Sequence, residues 1–438
     1  MSKPDGAATE DVAWPQGQAG RPDLADQPDR QGTPAAPGGP ATASRGTARE
    51  VFVVALRLGC TSFGGPIAHL GYFQNEYVRR RRWVGEETYA DLVALSQSLP
   101  GAGSSKLGIS IGMIRAGMRG GIAAWIGFTL PSALLMTLFA LGASSIGSSA
   151  TGWLRGLQIV AVAVVALAVW NMANKLITAL SLSALAILAA VVELTLPSRV
   201  TTVAIIIVAG VAGYFLGPDK AADGAAHLPI GFGKRTAIAA TVLFFGLLVA
   251  LPLLRHVTGS HAVALFDSTY RAGALVFGGG TVVLPLLQAE VVAPGWLSSS
   301  QFLAGYGAAQ AVPGPLFTFS AYIGAAEQPW PNGVLGAAIA LVGIFLPSFL
   351  IVVATLPSLG VIRNRPNVRA CLRGVNAAVI GILLAALYDP LWTGTVHHPY
   401  DFALVLAAFW LLAMAKLPAW LVVVLTAAGG ALITALGG

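Results

Sequence analysis

The chain is 438 residues long, 55% hydrophobic and only 10% charged, with a mean hydropathy of +0.73. Soluble domains carry about a quarter charged residues, so this balance excludes an ordinary soluble enzyme or binding module and points to an integral membrane protein. The net charge is +7, and because the arginines cluster beside apolar segments it reads as a topology signal rather than a nucleic-acid footprint.

Residues 1–46 are rich in Pro, Gly, Asp and Gln with almost no aliphatic content, which predicts a disordered tail. No basic-then-apolar pattern opens the chain, so no cleaved leader is expected. Residues 47–217 begin with the apolar segment Val51–Phe73, broken at FGGP (Phe63–Pro66). Four consecutive arginines follow, Arg79–Arg82, then a second segment, Tyr89–Met113, broken at LPG (Leu99–Gly101). Four continuous apolar runs come next: Ala123–Leu141, Ile159–Met172, Leu182–Leu196 and Val200–Leu216. Continuous runs of this kind predict helices and exclude barrel strands, which alternate. Residues 218–260 hold a glycine-rich linker and one further run, Ile238–Leu254, a bridging transmembrane helix. Residues 261–438 repeat the opening pattern, with breaks at FGGG and VPGP, and end in the runs Gly333–Thr355, Val375–Tyr388, Phe402–Leu417 and Trp420–Leu436.

The two long segments are copies of each other. Phe52, Arg57, Gly59, Phe63, Gly64, Gly65, Gln74 and Glu76 fall on Phe266, Arg271, Gly273, Phe277, Gly278, Gly279, Gln288 and Glu290 at a constant offset (266 − 52 = 214). QSLPG at Gln97 then meets QAVPG at Gln310 (310 − 97 = 213), and LPS and LRG recur in order. The arginine-rich loops swap ends between the copies, from Arg79–Arg82, Arg115 and Arg119 in the first to the GVIRNRPNVR loop in the second. The expected fold is therefore an all-α polytopic membrane protein of two inverted-topology repeats with broken or re-entrant helices.

Matched breaks in the two halves are the best sequence pointer to a transporter binding site, because irregular backbone at membrane depth survives only inside protein or around a wet cavity. Half-helix N-termini exposed there attract anions. The candidate ligands are Ser62, Gly64, Gly65, Gly101, Ser104, Ser105 and Lys106 in the first repeat, and Gly278, Gly279, Gly314 and Thr318 in the second. Gln97 and Gln310 either donate amide hydrogens to an oxyanion or staple the breaks. Arg57 and Arg271 either hold an oxyanion with a bidentate guanidinium or snorkel to the interface. Glu76, Asp91 and Glu290 are the candidate proton carriers, with pairing to the nearby arginines as the alternative. His69 is expected to pack or cap, and Cys60 and Cys371 to be small buried residues. Gly108–Gly112 (GISIG) matches the G-x-S-x-G hydrolase pattern, but Ser110 lacks the strand–turn–helix context of that nucleophile. Neither a Walker pattern nor a metal-ligand cluster nor a dinucleotide fingerprint is present, so no cofactor, metal or ATP coupling is expected from the sequence.

The stretch from Ser62 to Gly117, followed by GFTLPSALLM, resembles the chromate ion transporter family in its long, two-domain form. VFGGGTVVLPLLQAEVV and AAQAVPGPLFTFSAYIGA resemble that family's second domain. The resemblance implies secondary export of chromate, or of the isosteric sulfate, across a bacterial inner membrane, driven by the proton-motive force or by anion exchange, with chromate resistance as the outcome. The family pattern LPGPASSQ departs here to LPGAGSSK, so Ala102 and Lys106 stand for a proline and a glutamine. The competing readings are an anion channel, a structural membrane protein with close-packed breaks, and an organic-acid transporter; few aromatics beside the breaks favour an inorganic dianion. The partners expected are that oxyanion and the lipid bilayer, with a homodimer as a candidate assembly and no nucleic acid.

Overall fold

In a membrane every backbone group must be paired within the segment, which for unalternating apolar runs leaves only helices. The computed structural model is helical accordingly, with no strand among its described residues, 46–145, 151–216, 233–277, 280–358 and 366–436. The expected tail up to residue 45, most of the glycine-rich linker and the pair Gly278–Gly279 lie outside the described residues.

The first half contains α1 (Ala48–Thr61), α2 (Gly65–Phe73, continuing as a π-helix over Gln74–Arg80), α3 (Glu86–Ser98), α4 (Gly103–Ser145), α5 (Thr151–Leu176), α6 (Leu180–Thr195) and α7 (Arg199–Phe215). The bridging run forms α8 (Lys234–Thr258). The second half contains α9 (His261–Leu275), α10 (Val283–Val291), α11 (Ser299–Ala309), α12 (Phe319–Ala326), α13 (Gly333–Thr355), α14 (Pro366–Ala386), α15 (Pro399–Ala413) and α16 (Ala419–Ala435). The element order agrees between halves once α4 is divided at Ala116 and Gly117. Gly117 takes φ +65° there, at the place where a loop separates α12 from α13.

Among the described residues five helices are long and apolar enough to cross a membrane, Gly103–Gly142, Gly152–Leu176, Lys234–Thr258, Gly333–Thr355 and Pro366–Trp392, and five shorter apolar helices accompany them. All nine apolar runs read from the sequence are helical, so the chain is a multi-pass membrane protein. The arms of the broken segments are shorter. α3 has 13 residues and α11 has 11, lengths of about 20 and 17 Å at 1.5 Å per residue, well under the ~30 Å of a hydrocarbon core.

Small residues set the packing, as expected where lipid offers no hydrophobic drive between helices. Gly59 of α1 lies on the backbone of Phe128 in α4, and Gly273 of α9 lies likewise on Ile344 in α13. The rear helices exchange partners between halves. α5 packs on α15 and α16, while α14 packs on α6 and α7. Gly156 of α5 sits against Thr426 and Ala427 of α16, and Gly374 of α14 against Ala209 and Gly213 of α7, positions where a Cβ would strike backbone. The two cysteines depart from expectation. Cys60 is exposed and Cys371 half-buried; Cys60 lies one residue beyond Gly59, about 100° around α1 from the buried contact.

Candidate functional site

The two breaks meet, each bonded to the other half. The amide of Gly101 donates to the carbonyl of Val276 at 2.7 Å, and the amide of Gly314 donates to the carbonyl of Ser62 at 2.9 Å. Ser62 and Val276 are equivalent by the 214 offset, and Gly101 and Gly314 by the 213 offset, so the two bonds are one contact made twice. The glycines also repeat each other in conformation, with φ +104° and +99°. A Cβ on Gly101 would lie 2.5 Å from Ser348 Oγ, and one on Gly314 would lie 2.9 Å from Ser132 Oγ. Ser132 and Ser348 are the serines of the repeated LPS motif. Ser348 Oγ accepts the Ala102 amide at 2.9 Å, so the proline-rich tip is held by hydroxyl as well as by backbone.

The crossing is rich in buried donors with no protein partner. Ser62 Oγ and Ser105 Oγ are buried and make no hydrogen bond, and Gln310 Nε2 is buried with the Tyr306 hydroxyl as its neighbour, although most buried polar atoms in proteins are well paired. Ser320 Oγ and Thr129 Oγ1 also make no hydrogen bond. Ser104 is buried as well. Gly64, with φ +96°, caps α2 without a side-chain acceptor and is exposed, and a Cβ on Gly65 would meet open space. An uncapped helix start beside free volume is an anion-accepting geometry. Gln97 reaches the start of α4, its Nε2 lying 3.3 Å from where a Cβ on Gly103 would be.

Other expected ligands have different surroundings. Lys106 is fully buried, and its ammonium donates to the carbonyls of Leu99 and, at 2.9 Å, Pro100. It satisfies the carbonyl end of α3 from within. Thr318 is buried, its hydroxyl donating to Pro315 O at 2.8 Å. Arg57 is exposed, away from the buried stripe of Val54, Ala55, Leu58 and Gly59. Arg271 is held by Asp267 at 2.5 Å and Glu290 at 3.5 Å. Glu76 pairs with Arg81 at 2.6 Å and Arg80 at 2.9 Å. Burial pushes its carboxyl up, but those two guanidiniums outweigh it and hold it below its ordinary value. Glu290 accepts from Ser268 at 2.8 Å, and Asp91 is buried in α3. His69 packs between Phe73 and Phe128, with Nε2 3.2 Å from Ser62 O. Ser110 Oγ donates to Lys106 O at 2.8 Å inside a helix, which is no setting for a nucleophile.

Aromatic rings are not scarce beside the breaks, contrary to the sequence reading. Phe73 and Phe128 lie behind the first, and Phe317 and Phe345 behind the second. Phe73 and Phe317 are close to the breaks in sequence, while Phe128 and Phe345 come from distant helices, and each pair packs ring on ring. Two cavities, of about 410 and 380 Å³, lie away from the crossing. The smaller is lined by Arg255, His256, Asp267 and Arg271. The larger is lined by Gln158, Tyr322, Asn332 and Glu327, a residue the sequence reading passed over. Its signal was available: Glu327 stands three residues after Gly324, as Arg115 stands three after Gly112, and Gly112 and Gly324 make matching contacts with Gly120 and Gly336.

The comparisons with known proteins agree with this arrangement. The chromate transporter family profile matches twice, over residues 49–214 and 263–432. A chromate transport protein of Pseudomonas aeruginosa is 28% identical over 353 residues, 78% of this chain and 80% of its own. A probable chromate transport protein of Synechococcus elongatus is 29% identical, covering 86% of this chain and 93% of its own. The chromate transport protein of Cupriavidus metallidurans is 29% identical over 79% and 83% respectively. No solved structure matches. With matches over both halves, and the same broken contact built twice at its centre, this chain belongs to the chromate transporter family.

Proposed function

We propose that this protein is a secondary active transporter that exports chromate, or a tetrahedral dianion of similar size such as sulfate, from the cytoplasm across a bacterial inner membrane and so confers chromate resistance. The observation that carries this reading is the crossing of the two breaks, where Ser62 Oγ and Ser105 Oγ lie buried without partners. Buried donors left unpaired cost free energy unless a ligand accepts from them. A dianion surrounded by neutral donors also needs no buried countercharge to be released again. The relatives' names supply the anion, and the family supplies transport as the activity class.

The repeats are read as inverted, with residues 47–217 and 261–438 as the two units and the bridging helix α8 supplying the odd crossing. Reciprocal contacts such as Gly101 with Val276 and Gly314 with Ser62 support a two-fold relation between them. The swapped arginine loops support an axis in the membrane plane.

The test is chromium-detected uptake into everted membrane vesicles, with sulfate, molybdate and phosphate as competitors. Saturable uptake competed by sulfate is expected. Large currents that do not saturate would assign a channel instead, and competition by carboxylates alone would assign an organic-acid carrier.

A further inference from the structure

Each half carries a tryptophan bracketed by charged groups, and the two brackets differ in one chemical respect. In the first, Trp83 is approached by Arg81 at 5.5 Å and Arg115 at 5.4 Å, and Arg115 pairs with Glu50 in the first turn of α1 at 3.2 Å. In the second, Trp296 is approached by Arg255 at 5.5 Å and by the His261 ring edge-on at 4.5 Å, and His261, opening α9, lies 3.0 Å from Glu327. Trp83 and Trp296 are equivalent (296 − 83 = 213), and Arg115 and Glu327 hold the same place after their paired glycines. A charged pair thus ties the start of α1 and the start of α9 to equivalent places with its signs reversed, although Glu50 and His261 are not themselves equivalent by the offset (264 − 50 = 214). The first copy uses a guanidinium, which never gives up its proton at physiological pH. The second uses two groups that both can.

We propose that Glu327 and His261 form a proton-binding site that ties movement of the anion to movement of a proton. The inference rests on the secondary-transport reading above. Glu327 is wholly buried, and neither of its carboxylate oxygens receives a well-aligned hydrogen bond, His261 Nε2 being near but poorly directed. A buried carboxylate without donors is stable only when protonated. The charged groups around it are few. His261 is in contact; Arg255 stands behind Trp296 and is itself shared with Asp267 at 3.4 Å and Glu290 at 3.5 Å. From α5, α11 and the start of α13 the neighbours are the neutral Gln158, Gln301 and Asn332. The guanidiniums of Arg255 and Arg271 are paired with Asp267 and Glu290, which leaves Glu327 with His261 as its one charged-group contact among the described ion pairs.

The step is one proton onto a carboxylate oxygen, giving a carboxylic acid whose O–H is directed at the imidazole nitrogen, and its release by the reverse. The 410 Å³ cavity beside Glu327 supplies the aqueous route. The link to the anion is α12, which the 3-10 turn Leu316–Thr318 joins to the VPGP break and whose last residue, Ala326, precedes Glu327. Eight residues of α-helix, about 12 Å, and that turn separate the proton from the crossing. Glu327 lies in the loop between α12 and α13, where burial pushes its carboxyl up to about 8. It is accordingly loaded at neutral pH and empties as pH rises through about 8.

Two preparations test this: Glu327→Gln, a permanently neutral isostere, and the double variant His261→Glu with Glu327→Arg, which copies the fixed pair of the first half. Each is reconstituted and compared with wild type in chromate counterflow at equal pH and in accumulation driven by a pH gradient. Counterflow within about two-fold of wild type, with gradient-driven accumulation lost in both, is the expected result. Accumulation equal to wild type in Glu327→Gln overturns the proposal. Absence of counterflow in wild type itself would instead refute the transport reading, and the pair is then read without substrate. Without substrate the proton is read directly: the C=O stretch of a protonated carboxyl, taken as the infrared difference between low and high pH, should titrate in wild type and lose that titration in Glu327→Gln. An unaltered titration in Glu327→Gln would also overturn the proposal.

Discussion

Lys106 shows what a single side chain can conceal. In the sequence it is a positive charge beside two serines at a helix start, the composition of an anion site. In the fold its ammonium is turned back on Leu99 and Pro100, closing the carbonyl end of α3. The one-dimensional pattern fixes which charge is present but cannot fix which way a flexible four-carbon stem runs. Lys106→Gln, which restores the residue of the family pattern, should keep transport, because an amide can donate to one of the two carbonyls. The loss is at most about 1.5–3 kcal/mol for a charge-assisted bond. Lys106→Met leaves both buried carbonyls without donors and should lower membrane abundance and Tm more than Lys106→Gln does. Vesicle uptake normalised by immunoblot checks both, and abolished uptake by Lys106→Gln at normal abundance would make the ammonium a ligand. Arg271, expected either to hold an oxyanion or to snorkel, is instead paired with Asp267, which precedes it by one helical turn, a spacing the sequence did carry.

The broken elements were placed by the sequence within a residue or two, because glycine and proline pairs interrupt helices for local reasons that need no tertiary context. Their contacts were not legible. An offset of 214 identifies Ser62 with Val276, but only the fold shows that Gly101 binds Val276 and Gly314 binds Ser62. Two classes of glycine substitution should separate accordingly. Gly101→Ala and Gly314→Ala combine a left-handed backbone, costing roughly 1–2 kcal/mol, with a collision against Ser348 or Ser132. Both should reduce abundance. Gly65→Ala carries the same left-handed strain, with φ +75°, but meets no atom within 4 Å, so abundance should fall less than for Gly101→Ala and Gly314→Ala while chromate uptake per inserted molecule falls. Full uptake by Gly64→Ala and Gly65→Ala together would remove the α2 start from the anion site. Of the aromatic rings behind the breaks, Phe128 and Phe345 escaped notice for the same reason as the contacts: they converge from α4 and α13.

At the scale of the molecule, the duplication and helical class follow from composition and periodicity, which are global properties of the string. The exchange of rear helices does not, because either pairing buries the same residues. The orientation of the repeats is tested by labelling. In a background where exposed Cys60 and half-buried Cys371 are replaced by alanine, Ser299→Cys should react with an impermeant thiol reagent from outside intact cells and Gly85→Cys should not. Equal reaction at both sites would dismiss the inverted arrangement. The exchange itself bears on how the protein is made. α6 and α7 bury their small-residue faces on α14, yet α14 begins at Pro366, 151 residues after α7 ends at Phe215 (366 − 215). At roughly 5–20 residues per second of synthesis that interval is about 8–30 s. Throughout it the first half stands in the bilayer with its glycine seams open, so a ribosome halted before α14 should leave a half-protein that the cell's proteases treat as unassembled.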